Sequence, residues 1–106
     1  MRVGDTVYVS GTTGVAADGA MPEAVLDQCA NALATIGRAL TEAGACFADV
    51  VRVHYILPDP ADFEPCWPLL RAAFGAAPPA ATMIAAGLID PAMKIEIEVT
   101  AVIGTR

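Results

Sequence analysis

Two glutamates set one residue apart, Glu96 and Glu98, lie in a segment with a period of two. Ile95, Ile97, Val99 and Ala101 alternate with Glu96, Glu98, Thr100 and Val102. That alternation predicts a strand with one face on a core. Carboxylates on the opposite face are unusual unless water, a partner subunit or a ligand meets them. A carboxylate so placed can take a proton from a water or orient it toward an electrophilic carbon, which is acid–base chemistry. Glu96 has a structural alternative as the ion-pair partner of Arg52, and Glu98 reads as structural. His54, the only histidine, is a candidate base beside Glu96, or a residue that only satisfies its own hydrogen bonds. Trp67 fits either a stacking wall for a ligand or an anchor at a subunit contact, because large aromatics do both. Ser10 lacks the histidine and acid spacing of a nucleophile, and backbone capping explains it better. Cys29, Cys46 and Cys66 have no metal-type spacing, and Cys29 falls on an apolar helix face as a core thiol. No metal and no cofactor is expected.

The elements that must position these groups follow from the patterning. Thr6 to Ser10 predicts a strand, and the glycine-rich stretch from Gly11 to Gly19 a loop or wide hairpin. Pro22 and Glu23 suit the first turn of a helix whose stripe is Leu26, Cys29, Leu33, Ile36 and Leu40, with Gly44 as its cap. Val50 to Leu57 is β-branched and strand-like, with Val51, Val53 and Tyr55 on one face and Arg52, His54 and Ile56 on the other. Phe63, Trp67, Leu70 and Phe74 mark a second helix ended by Gly75. Pro68 is incompatible with a helix interior, so the first turn there should be irregular. Ala80 to Ala86 and Lys94 to Ile103 complete the order strand, helix, strand, helix, strand, strand. The fold class this predicts is α+β, one domain over residues 1–106, with two helices on one face of a mixed sheet. The other face, carrying Arg52, His54, Ile56, Glu96, Glu98 and Val102, is too apolar for open water and too charged for a dry core. Packing against further copies of the chain satisfies both conditions.

Composition excludes several functions. The net charge is −6 and the cations are scattered singly, which argues against a nucleic-acid partner. No basic amphipathic helix points to a membrane surface. The uncharged run from Ala72 to Ile89 approaches the length of a span, but Gly75, Pro78, Pro79 and Gly87 break it. With no signal peptide evident, a reducing cytoplasm is the expected location.

Six short pieces in order resemble the reactive-intermediate deaminase (Rid, or YjgF-like) family, also known as endoribonuclease L-PSP. They are Gly4 to Gly11, Asn31 to Leu33 with Ala43-Gly44-Ala45, Asp49 to Val53, Asp62-Phe63, Pro79-Ala80 and Glu96-Ile97-Glu98. The resemblance implies a chorismate mutase-like fold built as a homotrimer around a central barrel, with a ligand cleft at each subunit interface. It implies hydrolysis of enamines and imines such as 2-aminoacrylate to oxo acids and ammonia. In that pattern an arginine follows Pro-Ala and holds the substrate carboxylate, and a glutamate fifteen positions on helps activate water. Glu96 stands at the glutamate's place and is the expected catalytic residue, but Ala81 stands at the arginine's. Met83 takes a place often held by cysteine, Trp67 a polar place, and Gly11 that of a glycine whose N–H meets the substrate. The chain begins almost on its first strand, so the tyrosine-bearing N-terminal segment of most members is expected to be absent. Losing a desolvated arginine–carboxylate pair removes about 2–5 kcal/mol, a hundredfold or more in affinity. Activity on 2-aminoacrylate should therefore be weak or absent unless Arg52 or Arg71 replaces the clamp. Two readings follow: a hydrolase that uses Glu96 on an altered substrate, with Gly11, Trp67, Ala81, Met83, Arg52 and His54 as binding residues, or a non-catalytic trimer that binds a small apolar or aromatic metabolite in a cleft formed by Ala81, Met83 and Trp67. A ribonuclease conflicts with the acidic charge.

Overall fold

The computed structural model describes residues 1–105. Five strands form one sheet: β1 (Arg2–Val3), β2 (Thr6–Thr13), β3 (Val50–Leu57), β4 (Ala80–Ala85) and β5 (Glu96–Val102). Their order is β1-β2-β5-β3-β4; β3 and β4 run parallel and the other neighbours antiparallel. Helices α1 (Val25–Glu42) and α2 (Trp67–Phe74) pack on one face. The α+β class, the mixed sheet and the two helices agree with the sequence reading.

Sheet alternation supplies the core. Val7, Val53, Leu57, Ile95, Ile97 and Val99 meet Cys29, Leu33, Ile36 and Leu40 of α1 and Leu70 and Phe74 of α2. Each fully buried aliphatic side chain contributes about 1.5–3 kcal/mol relative to exposure. Leu26 departs from the expected stripe and is 44% exposed. Its place toward the core is taken by Gln28 and Cys29, both 0% exposed. The helix starts at Val25 and not at Pro22, because the Pro22 carbonyl accepts the Gln28 side chain at 2.6 Å and the first turn bond runs from Gln28 N–H to Ala24. At its C-terminus Gly44 takes φ +86°, Ala45 N–H bonds Leu40 and Gly44 N–H bonds Thr41. That is a Schellman ending, which needs a residue free to adopt the left-handed region.

Two single-turn 3₁₀ segments, Pro60–Asp62 and Glu64–Cys66, precede α2, so Pro68 falls in the first turn of the α-helix and costs no interior hydrogen bond. Strand β2 runs to Thr13, past the expected loop start at Gly11. The strand absorbs the glycine as a bulge: Val9 pairs Val99 but Thr12 pairs Ile97, so one residue of β2 is extra. A second bulge lies in β3, where Val50 pairs Ala101 and Arg52 pairs Thr100. It makes Val50, not Val51, the buried residue at that end of the strand.

Candidate functional site

The bulge in β2 brings Gly11 against Glu96. A Cβ on Gly11 would lie 2.7 Å from the carboxyl carbon of Glu96, so this carboxylate sits directly over main chain that has no side chain to keep it away. A glycine inside a strand commonly marks such a close approach. Glu96 is half-buried on the sheet face away from the helices, and its carboxylate makes no hydrogen bond or ion pair among the described residues. Arg52 does not reach it; its Nη1 donates to Thr82 Oγ1 at 3.3 Å. His54 does not face it either. Antiparallel register sets His54 opposite Glu98, and its Nδ1 lies 2.7 Å from Glu98 Oε1. An N–H there donates to the carboxylate and leaves Nε2 unengaged. Both expected partnerships of Glu96 are thus corrected by register: Ile56 is its cross-strand neighbour on β3, and Thr13 on β2. Tyr8, Ser10, Arg52, His54 and Glu98 line a shallow groove of about 190 Å³ on this same face.

A second concavity lies on the opposite side of the sheet. It has a volume of about 370 Å³ and runs between α2 and the edge strand β4. Ala81 pairs with Val53 and therefore points to the helix side of the sheet, where it shares the wall with Trp67. Tyr55, Phe63 and Phe74 supply most of the remaining surface. Tyr55 and Phe63 have centroids 5.0 Å apart, and Phe63 meets Trp67 edge-on at 6.5 Å. The result is an aromatic wall held in fixed geometry. Among the described residues Arg71 is the only charged one on it. Met83 lies two residues along the same strand face, 37% exposed, but outside the cleft wall. Burial pushes the Tyr55 hydroxyl up to about 12, so it stays a neutral donor at any physiological pH.

The buried thiols are inert for a related reason. Burial, then the neighbouring Cys66, pushes Cys29 up to about 12, and burial also raises Cys66. A thiol so protonated is no nucleophile. Among the described residues no group of three or more His, Cys, Asp or Glu side chains is disposed to hold a metal. Among the described residues no helix is long and apolar enough to cross a membrane.

The family described as Endoribonuclease L-PSP matches this chain over residues 1–103. The chain belongs to that family. Relatives named 2-iminobutanoate/2-iminopropanoate deaminase include one from goat (Capra hircus), 31% identical over 93% of this chain and 74% of its own length. The mouse (Mus musculus) protein of the same name is 28% identical over 98% of this chain and 78% of its own length. Among solved structures, a YjgF-family protein from Mycobacterium tuberculosis is 34% identical with a TM-score of 0.81, covering 96% of this chain and 82% of that one. RidA from an Antarctic Psychrobacter species is 26% identical with a TM-score of 0.90, covering 97% of this chain and 85% of that one.

Within this Rid/YjgF chain the residues named from sequence fall into two groups. Gly11, Glu96, His54 and Arg52 occupy the open face and the bulge beside it. Trp67 and Ala81 occupy the aromatic cleft behind the sheet, with Met83 just outside it. No single protomer brings Glu96 and Ala81 into one cavity, because Ile56 and Val53, their neighbours on β3, face opposite ways. Sequence reasoning used Tyr55 only to assign a strand face, and Phe63 and Phe74 only to mark the second helix. The available signal was their alignment with Trp67 on one side of α2 and the adjoining strand.

Proposed function

We propose that the chain is a homotrimeric Rid-type hydrolase acting on an imine or enamine in a cleft between copies, with Glu96 as the carboxylate that activates water. The observation that carries this reading is the half-buried, unpartnered Glu96 pressed against Gly11 in the β2 bulge. Water adds to the imine carbon while Glu96 takes one proton and passes it to nitrogen, giving a carbinolamine; the hydroxyl proton then travels to nitrogen through the same carboxylate as the C–N bond breaks, so that ammonia leaves and the carbonyl forms. The Gly11 N–H is the proposed donor to the substrate. The relatives' names, which specify imino acids, support the substrate class. Alanine at residue 81 supports weak activity on the smallest imino acids.

The placement of the two residue groups on opposite sides of one sheet supports a shared cleft, since a second protomer is the available way to bring both to one ligand. Exposed Tyr8, Met83, Ile84 and Trp67, with the unpaired outer edge of β4, supply apolar and main-chain surface for that contact. Sedimentation equilibrium in dilute buffer is expected to give three times the 10.9 kDa chain mass. A stable monomer overturns the reading.

Gly11→Ala tests the chemistry. The new methyl meets the far end of a flexible side chain, so Glu96 swings aside and stability changes by less than about 1 kcal/mol. Imine hydrolysis, followed by ammonia release from a freshly generated imine, is expected to drop on the order of tenfold or more, because small misplacements of a catalytic group are costly. Unchanged turnover would remove Glu96 from the mechanism.

A further inference from the structure

The cleft between α2 and β4 has a chemistry of its own. Its surface is almost wholly apolar and aromatic, its volume of about 370 Å³ suits a small molecule, and Arg71 is the one charge on the wall among the described residues. The Arg71 side chain makes no hydrogen bond or ion pair among the described residues, so its guanidinium fork is available to a ligand. Arg52, the other candidate, lies across the sheet and is engaged with Thr82. Ala81 contributes only a methyl to the wall and leaves open the space a longer side chain would fill.

We propose that this cleft selects an aromatic or branched-chain 2-imino acid, its apolar side chain against Tyr55, Phe63 and Trp67 and its carboxylate on Arg71, an inference that rests on the imine-hydrolase reading above. A substrate with a methyl side chain leaves the aromatic wall uncovered and in contact with water. A phenyl or isobutyl group covers it, and burial of apolar area scales with the group inserted. Arginine presents two parallel N–H donors to a carboxylate, so one residue fixes both charge and orientation. Arg71 and Ala81 are then specificity-determining residues: the first requires an acid, the second admits bulk.

Stable 2-oxo acids test this without turnover. Binding of phenylpyruvate, pyruvate and the uncharged phenylacetone is followed by calorimetry and by the fluorescence of Trp67, the only tryptophan. Phenylpyruvate is expected to bind at least about tenfold more tightly than pyruvate. Arg71→Met is expected to weaken phenylpyruvate by about tenfold or more and to leave phenylacetone unchanged. Equal affinity for pyruvate and phenylpyruvate in the unaltered protein overturns the size assignment, and phenylpyruvate binding indifferent to Arg71→Met overturns the clamp. Should Arg71→Met fail to fold, the phenylacetone-to-phenylpyruvate ratio in the unaltered protein decides: tighter binding of the acid supports the clamp and parity overturns it. Selective binding with no imine hydrolysis sinks the hydrolase reading alone, whereas hydrolysis without this selectivity sinks only the present one.

Discussion

Replacing Glu96 with glutamine is expected to lower imine hydrolysis by about 100-fold or more, the scale of a lost acid–base group, with little change in melting temperature. Glutamine keeps the shape that fits over Gly11 but cannot accept a proton from water. No side-chain hydrogen bond or ion pair of Glu96 is lost, because its carboxylate makes none among the described residues. The substitution thus separates chemistry from folding more cleanly than one at Glu98, which would orphan the His54 contact. Initial rates of ammonia release are the measurement, with binding of a stable oxo acid beside them. Lost turnover with retained binding is the expected pair. If the unaltered protein itself turns nothing over and glutamine leaves ligand binding unchanged, the chain is a binding protein and Glu96 a structural residue. Unchanged turnover in the variant assigns the reaction elsewhere.

What the sequence made legible was whatever local pattern controls. The alternation of Ile95, Ile97, Val99 and Ala101 against Glu96, Glu98 and Thr100 survives intact in β5, since that strand lies between β2 and β3 with its apolar face under α1. The α1 stripe and its Gly44 ending are equally local, and so is the irregular approach to α2 forced by Pro65 and Pro68. What escaped was set by register and by contacts between distant segments. A single extra residue in β2 turns an expected loop into a strand that delivers Gly11 to Glu96. Register alone decides that His54 meets Glu98 and that Arg52 meets Thr82. The spacing that places Glu96 fifteen positions after Ala81 carries no information on faces, because the chain reverses between β4 and β5. The separation of the two residues onto opposite sides of the sheet emerges only when both strands are paired with β3.

The buried Gln28 illustrates the same limit and leads to the largest expected effect on stability. A polar residue in the first turn of α1, outside the apolar stripe, it is nonetheless 0% exposed. Its Nε2 donates to the carbonyls of Pro22 at 2.6 Å and Ala92 at 2.9 Å, and its Oε1 accepts the Lys94 N–H at 2.8 Å. One side chain thereby ties the entry to α1 to the segment that leads into Glu96. Gly14 makes this possible. A Cβ there would lie 2.3 Å from both Cα and Cβ of Gln28, so the end of β2 rests directly on the first turn of α1. The Gly14 carbonyl also accepts the Asn31 side chain at 3.1 Å. Backbone cannot move aside as a side-chain tip can. Gly14→Ala must push β2 from α1, straining this hydrogen bond and the Gln28 clamp together. The expected loss is about 3 kcal/mol or more, from overpacking and from poorly satisfied buried polar groups. At this chain length that lowers the melting temperature by on the order of 15 °C. Gly87→Ala is the matched control, since nothing lies within 4 Å of the added methyl. Thermal unfolding followed by circular dichroism compares the two. Equal melting temperatures would mean that the contact between β2 and α1 yields without cost, and Glu96 would then lose the rigid support that its approach to Gly11 requires.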